Sequence, residues 1–91
     1  MRVRIRGRYY DLQFVPHADL ENCRGDCDSP RVPGKRIRIA DDLRGARLLD
    51  TLIHECLHAA CWDLAEEAVD EFATDVARIL LRIETSTLPP K

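Results

Sequence analysis

Apolar and charged residues alternate at the start of the chain. Val3-Arg4-Ile5-Arg6 has a period of two, Gly7 interrupts it, and Tyr9 to Val15 resumes with β-favouring residues. The pattern predicts two antiparallel strands ended by Pro16. From His17 to Gly34 the residues turn to Asp, Asn, Gly and Pro, and Pro30, Pro33 and Gly34 mark a loop of eighteen residues. Loops of that length in a small domain usually carry function or move. Lys35-Arg36-Ile37-Arg38-Ile39 then gives a third alternating strand, with Ile37 and Ile39 on one face and Arg36 and Arg38 on the other. Burial on one side with charge outside suits a strand near a sheet edge.

From about Leu43 the period changes. Leu48, Leu49, Leu52, Ile53, Cys56, Leu57 and Ala60 recur at intervals of three and four, which predicts an amphipathic helix closed by Trp62. Asp63 followed three residues later by Glu66 has the form of a capping box. It predicts a second helix from about Leu64 to Ile83, with Val69, Phe72, Ala73, Val76, Ile79, Leu80 and Ile83 on its inner stripe. Residues 84–91, ending Pro89-Pro90-Lys91, read as a short disordered tail. The expected architecture is α+β: a small three-stranded, mostly antiparallel sheet packed on two helices, in one domain over residues 1–83.

Length and composition bound this picture. Ninety-one residues allow one domain, and 45% hydrophobic with 33% charged residues is a globular balance. A chain this short buries only about 60–65% of the surface its unfolded form exposes, so a bound metal or a partner subunit would help to hold it. No apolar run approaches the roughly 18 residues of a membrane span, and the first residues lack the apolar stretch of a signal peptide. A cytoplasmic protein is expected.

The net charge of −2 conceals an asymmetry. Residues 1–47 carry ten Arg and Lys35 against seven acids, a net of +4, whereas residues 48–91 carry three bases against nine acids, a net of −6. Arg2, Arg4, Arg6, Arg8, Arg36 and Arg38 on strand faces would suit a nucleic-acid contact. They lack interleaved aromatics beyond Tyr9 and Tyr10, and alternating Arg on an exposed strand is more often a solvated face. The four cysteines are Cys23 and Cys27, four apart, and Cys56 and Cys61, five apart. Neither spacing is that of a zinc-binding C-x-x-C pair, and structural or free thiols are expected.

The chemistry is concentrated in His54-Glu55-Cys56-Leu57-His58 on the first helix. Two His at i and i+4 project from one helical face, so both imidazoles reach one cation. Glu55 can approach a water at that cation from the side, as a general base must. Chance occurrence of this pattern in so short a chain is on the order of a few in a thousand. The plainer alternative is a pair of His at the core boundary beside a solvated Glu55.

A catalytic zinc normally takes three protein ligands. His17 is the only other His, and nearer candidates are Glu66, Glu67, Asp70, Glu71 and Asp75 on the second helix. Glu66 shares a face with Val69 and Ala73 and lies close to the turn between the helices, which favours it. Glu67 and Glu71 fall more to the solvent side, and Asp70, four on from Glu66, could orient the Glu or a His. Ordinary solvated acids at a helix start would look the same.

His54-Glu55-Cys56-Leu57-His58 followed by Glu66-Glu67-Ala68-Val69 resembles the zincin metallopeptidases, in particular the gluzincin branch with Glu as third ligand. Gly25-Asp26-Cys27-Asp28 and the strand Lys35 to Ala40 also resemble small HExxH proteins of bacterial and phage genomes. The likeness covers roughly residues 25–83, and only the HExxH segment is highly specific. It implies a minimal zincin-like fold and zinc held by His54, His58 and Glu66, with Glu67 as the alternative ligand. Glu55 would activate water for peptide-bond hydrolysis, and an edge strand, Ile37, Arg38, Ile39 and Ala40, would align the substrate. Two features depart from the family: only seven residues separate His58 from Glu66, and no C-terminal subdomain walls the cleft. No oxyanion stabiliser is evident unless the fold brings Tyr9, Tyr10 or His17 near.

The expected function is therefore a zinc-dependent metallopeptidase with a peptide or protein substrate. The alternatives are a non-catalytic zinc-stabilised adaptor or regulatory protein and, third, an Arg-rich nucleic-acid-binding module. A homo-oligomer is compatible with the thin core, and no membrane partner is expected.

Overall fold

The computed structural model describes residues 1–85. Strands β1 (Arg2–Ile5) and β2 (Arg8–Val15) form an antiparallel hairpin in which Ile5 faces Arg8 across a two-residue turn. Arg6 and Gly7 both take positive φ there, 49° and 79°, as a turn matched to the right-handed twist of the strands requires. The Arg6 guanidinium donates to the Ala60 carbonyl at 2.8 Å, and this satisfies one of the acceptors that a helix end leaves free.

The sheet has four strands in the order β1-β2-β4-β3 and is mixed, which corrects the expected three-stranded, mostly antiparallel arrangement. After β2, a short 3-10 turn at His17–Leu20 plugs the core with Leu20. The chain then crosses over to β3 (Gly25–Cys27), and β4 (Arg36–Ala40) returns between β3 and β2. Strand β4 therefore lies parallel to β2, with Leu12 beside Ile37, and antiparallel to β3, with Asp26 beside Arg38. The eighteen-residue segment expected as a loop thus contains a strand. Gly-Asp-Cys has no intrinsic β preference and pairs because β4 offers it a partner.

The alternation in β4 is real, with Ile37 and Ile39 fully buried inwards. Its outward arginines meet carboxylates, Arg36 with Asp28 at 3.5 Å and Arg38 with Asp26 through two guanidinium nitrogens. The expected edge position is corrected, however, because β4 is paired on both sides and β3 holds the edge instead.

Helix α1 (Gly45–Ala60) lies between the sheet and helix α2 (Glu66–Thr85). Leu48, Leu52 and Cys56 join the core under the sheet with Tyr10, Ile37, Ile39 and Ala59. The Tyr10 hydroxyl donates to the Ala59 carbonyl at 3.3 Å and ties β2 to the helix. Because α1 is covered on two sides, its most buried positions are Thr51, Glu55 and Ala59, a line the apolar pattern did not predict.

Helix α2 begins at Glu66, two residues later than expected. The capping box at Asp63 is not formed, since Asp63 lies in the turn before the helix and outside its N-cap position. The inner stripe is also narrower than expected: Val69, Ala73 and Ala77 are buried, while Phe72, Ile79, Leu80 and Ile83 are exposed. A helix packed on one other helix buries a strip about one residue wide per turn. The helix extends through Thr85, so residues 84 and 85 are helical; the rest of the expected tail, 86–91, lies outside the described residues. No described helix is long and apolar enough to cross a membrane.

Candidate metal centre

His54 and His58 stand one turn apart on α1, their rings 4.7 Å apart between centroids and inclined at 67°. The connection at residues 61–65 turns the chain back so that Glu66, the first residue of α2, faces both. Nε2 of His54 is 3.0 Å from Glu66 Oε1, Nε2 of His58 is 3.1 Å from Glu66 Oε2, and the two Nε2 atoms are 3.1 Å apart. The second helix thus brings Glu66 to the two His. Glu67 and Glu71 are exposed and stay outside this cluster.

Hydrogen bonds alone do not satisfy this triangle. If both imidazoles carry a proton on Nε2 to donate to Glu66, two N–H groups face each other across the third edge. If one Nε2 donates to the other, the bare nitrogen confronts a carboxylate lone pair. A cation at the centre would relieve all three contacts. A tetrahedral zinc with N and O ligands at about 2.0–2.1 Å spaces its donors about 3.3 Å apart, close to the separations found. Asp70 Oδ1 lies 3.1 Å from His54 Nδ1, which favours the tautomer with Nε2 bare and aimed at the centre. The donor set therefore fits a zinc-type ion.

Glu55 follows His54 and turns towards the sheet, where it is only 7% exposed. Burial pushes its carboxyl up to about 7, with smaller contributions from the negative charges of Asp26 and Glu66. A carboxyl in that range both takes and returns a proton near neutral pH. It lies so close to β3 because Gly25 has no side chain: a Cβ there would stand 3.2 Å from Glu55 Cγ.

His54, Glu55, His58 and Glu66 line a cleft of about 510 Å³ whose other walls are Gly25–Cys27 of β3 and the pair Trp62 and Leu64. No metal-ligand or catalytic spacing in the sequence marks these wall residues. Their only local sign was Gly25-Asp26-Cys27-Asp28, which by itself does not say what the strand faces. The backbone of Ile37–Ala40 is engaged by β2 and β3, so the edge nearest the cleft belongs to Gly25–Cys27.

The three aromatic candidates for an oxyanion donor lie elsewhere. Tyr10 is buried under α1, Tyr9 is covered by the Arg2 guanidinium at 3.8 Å, and His17 pairs with Asp42 at 2.8 Å. All four cysteines are free, and burial pushes the Cys27 thiol beside the cleft up to about 12. Comparison of the chain with protein-family models, curated proteins and solved structures finds no match.

Proposed function

We propose that the chain is a zinc-dependent peptidase of minimal size, with His54, His58 and Glu66 as metal ligands and Glu55 as general base. The observation that carries this reading is the convergence of two imidazole nitrogens and a carboxylate within about 3 Å of one another, beside a buried carboxyl near neutrality. When bound, zinc would polarise a peptide carbonyl and acidify water. Glu55 takes the proton of the attacking water and passes it to the leaving amine. Asp70 holds His54 in the ligating tautomer, and the free edge of β3 pairs an extended peptide across the cleft. This gives β3 the substrate-aligning role first expected of Ile37–Ala40. The reduced cysteines suit the cytoplasm.

A specific observation favours a second reading. Tyr9, Tyr10 and His17 all lie away from the cleft, so a non-catalytic adaptor in which zinc clamps α1 to α2 accounts for the same ligands. One experiment separates the two. In the peptidase reading, purified protein holds about one zinc per chain, and Glu55→Gln keeps the metal but loses cleavage of a peptide library. In the adaptor reading, zinc raises thermal stability and Glu55→Gln behaves as wild type. Folded wild type that takes up no zinc contradicts both.

A further inference from the structure

Three exposed apolar residues of α2 form one continuous stripe with Val76, and the less exposed Leu80 flanks it. Phe72, Ile79 and Ile83 are 53%, 55% and 56% exposed, and Val76 between them is half-buried. Their spacing of four, three and four is the seam of a two-helix coiled coil, not a scatter of surface residues. The stripe lies beside the Val69, Ala73, Ala77 line that packs on α1, and among the described residues it is left largely uncovered.

We infer that this stripe is the interface of a symmetric dimer in which α2 pairs antiparallel with α2 of a second copy. The register is self-complementary under a two-fold axis: aligning Val76 with the partner's Ile79 also aligns Phe72 with the partner's Ile83, and symmetry repeats both layers. Asp75 precedes Val76 by one residue and Arg82 follows Ile79 by three. These are the flanking positions that meet across an antiparallel seam, so Asp75 faces the partner's Arg82 twice. Neither residue has an ion-pair partner within the chain among the described residues.

Charge also selects the direction. The first half of α2 holds Glu66, Glu67, Asp70, Glu71 and Asp75 with no base, and the second half holds Arg78 and Arg82 against the single acid Glu84. Parallel pairing would set the acidic halves beside each other, whereas antiparallel pairing sets each acidic half beside the half that carries both Arg. Burying the stripe adds apolar area to a chain whose core is small for its length. The inference is independent of the metal reading, since the stripe contains no ligand.

Sedimentation equilibrium of the full chain, with and without zinc, tests it. Wild type is expected to be a dimer, and Ile79→Glu a folded monomer by circular dichroism. Asp75→Arg alone is expected to weaken association at least tenfold, and Asp75→Arg with Arg82→Asp to restore it, because the double exchange rebuilds both pairs. A wild-type monomer overturns the proposal and leaves the stripe to an unlike partner. A dimer that Ile79→Glu leaves intact overturns it too, as does a double exchange that fails to restore association.

Discussion

Oδ1 of Asp70 stands 3.1 Å from Nδ1 of His54, on the opposite side of the ring from the nitrogen that faces Glu66. Glu66 and Asp70 are four residues apart on α2, so one helical face sets both carboxylates against the His54 ring. Asp70→Ala is expected to weaken zinc binding about 10–100-fold, and Asp70→Asn less, because an amide oxygen still accepts from Nδ1–H. Competition against a chromophoric chelator measures this, and wild-type affinity in Asp70→Ala would remove Asp70 from the site.

Gly25 seats β3 directly against α1. A Cβ at this position would sit 2.9 Å from the Arg38 carbonyl oxygen and 2.9 Å from Thr51 Cγ2. The carbonyl belongs to the β3–β4 ladder and cannot move without breaking it. Gly25→Ala should therefore cost about 1–3 kcal/mol, seen as a lower urea midpoint at unchanged slope. An unchanged midpoint would mean that β3 is not seated on the helix.

The Thr51 hydroxyl is buried and has no hydrogen-bond partner among the described residues. Replacing it with a methyl of similar size removes an unmet desolvation cost, so Thr51→Val should raise stability by about 1 kcal/mol. Thr51→Ser keeps the hydroxyl, loses the methyl and should lower it. Thermal melts of the two variants must move in opposite directions.

Thiol chemistry should divide the cysteines. Cys23 and Cys61 are exposed, whereas burial is the main cause that raises both Cys27 and Cys56, Cys27 to about 12. Folding favours the protonated Cys27 thiol, so its stabilising contribution is present below the ordinary thiol range and is lost as pH climbs towards about 12. Alkylation of native protein at mildly alkaline pH, read by mass spectrometry, should label Cys23 and Cys61 first. Equal labelling of Cys27 would contradict its burial.

Features set by neighbouring residues were legible in the chain. The period of two in Val3–Arg6 and Arg36–Ile39 marked strands, the three- and four-residue spacing from Leu48 marked α1, and the i, i+4 spacing put His54 and His58 on one face. Each depends on backbone geometry over a few residues. Phe72, Ile79 and Ile83 were misplaced for the same reason: their period reports an apolar face but not which neighbour, if any, covers it.

Sequence alone thus determined three of the four strands, the two helices and the two-His face, because each follows from a local repeat. Only the tertiary structure decided that Gly25–Cys27 is the sheet edge, that β4 is interior and parallel to β2, and that Glu55 is buried. It also chose Glu66 over Glu67, Asp70 and Glu71 as the acid facing both His. These outcomes depend on contacts between segments distant in the chain, where packing and desolvation outweigh the weak preferences of a Gly-Asp-Cys segment or a run of acids.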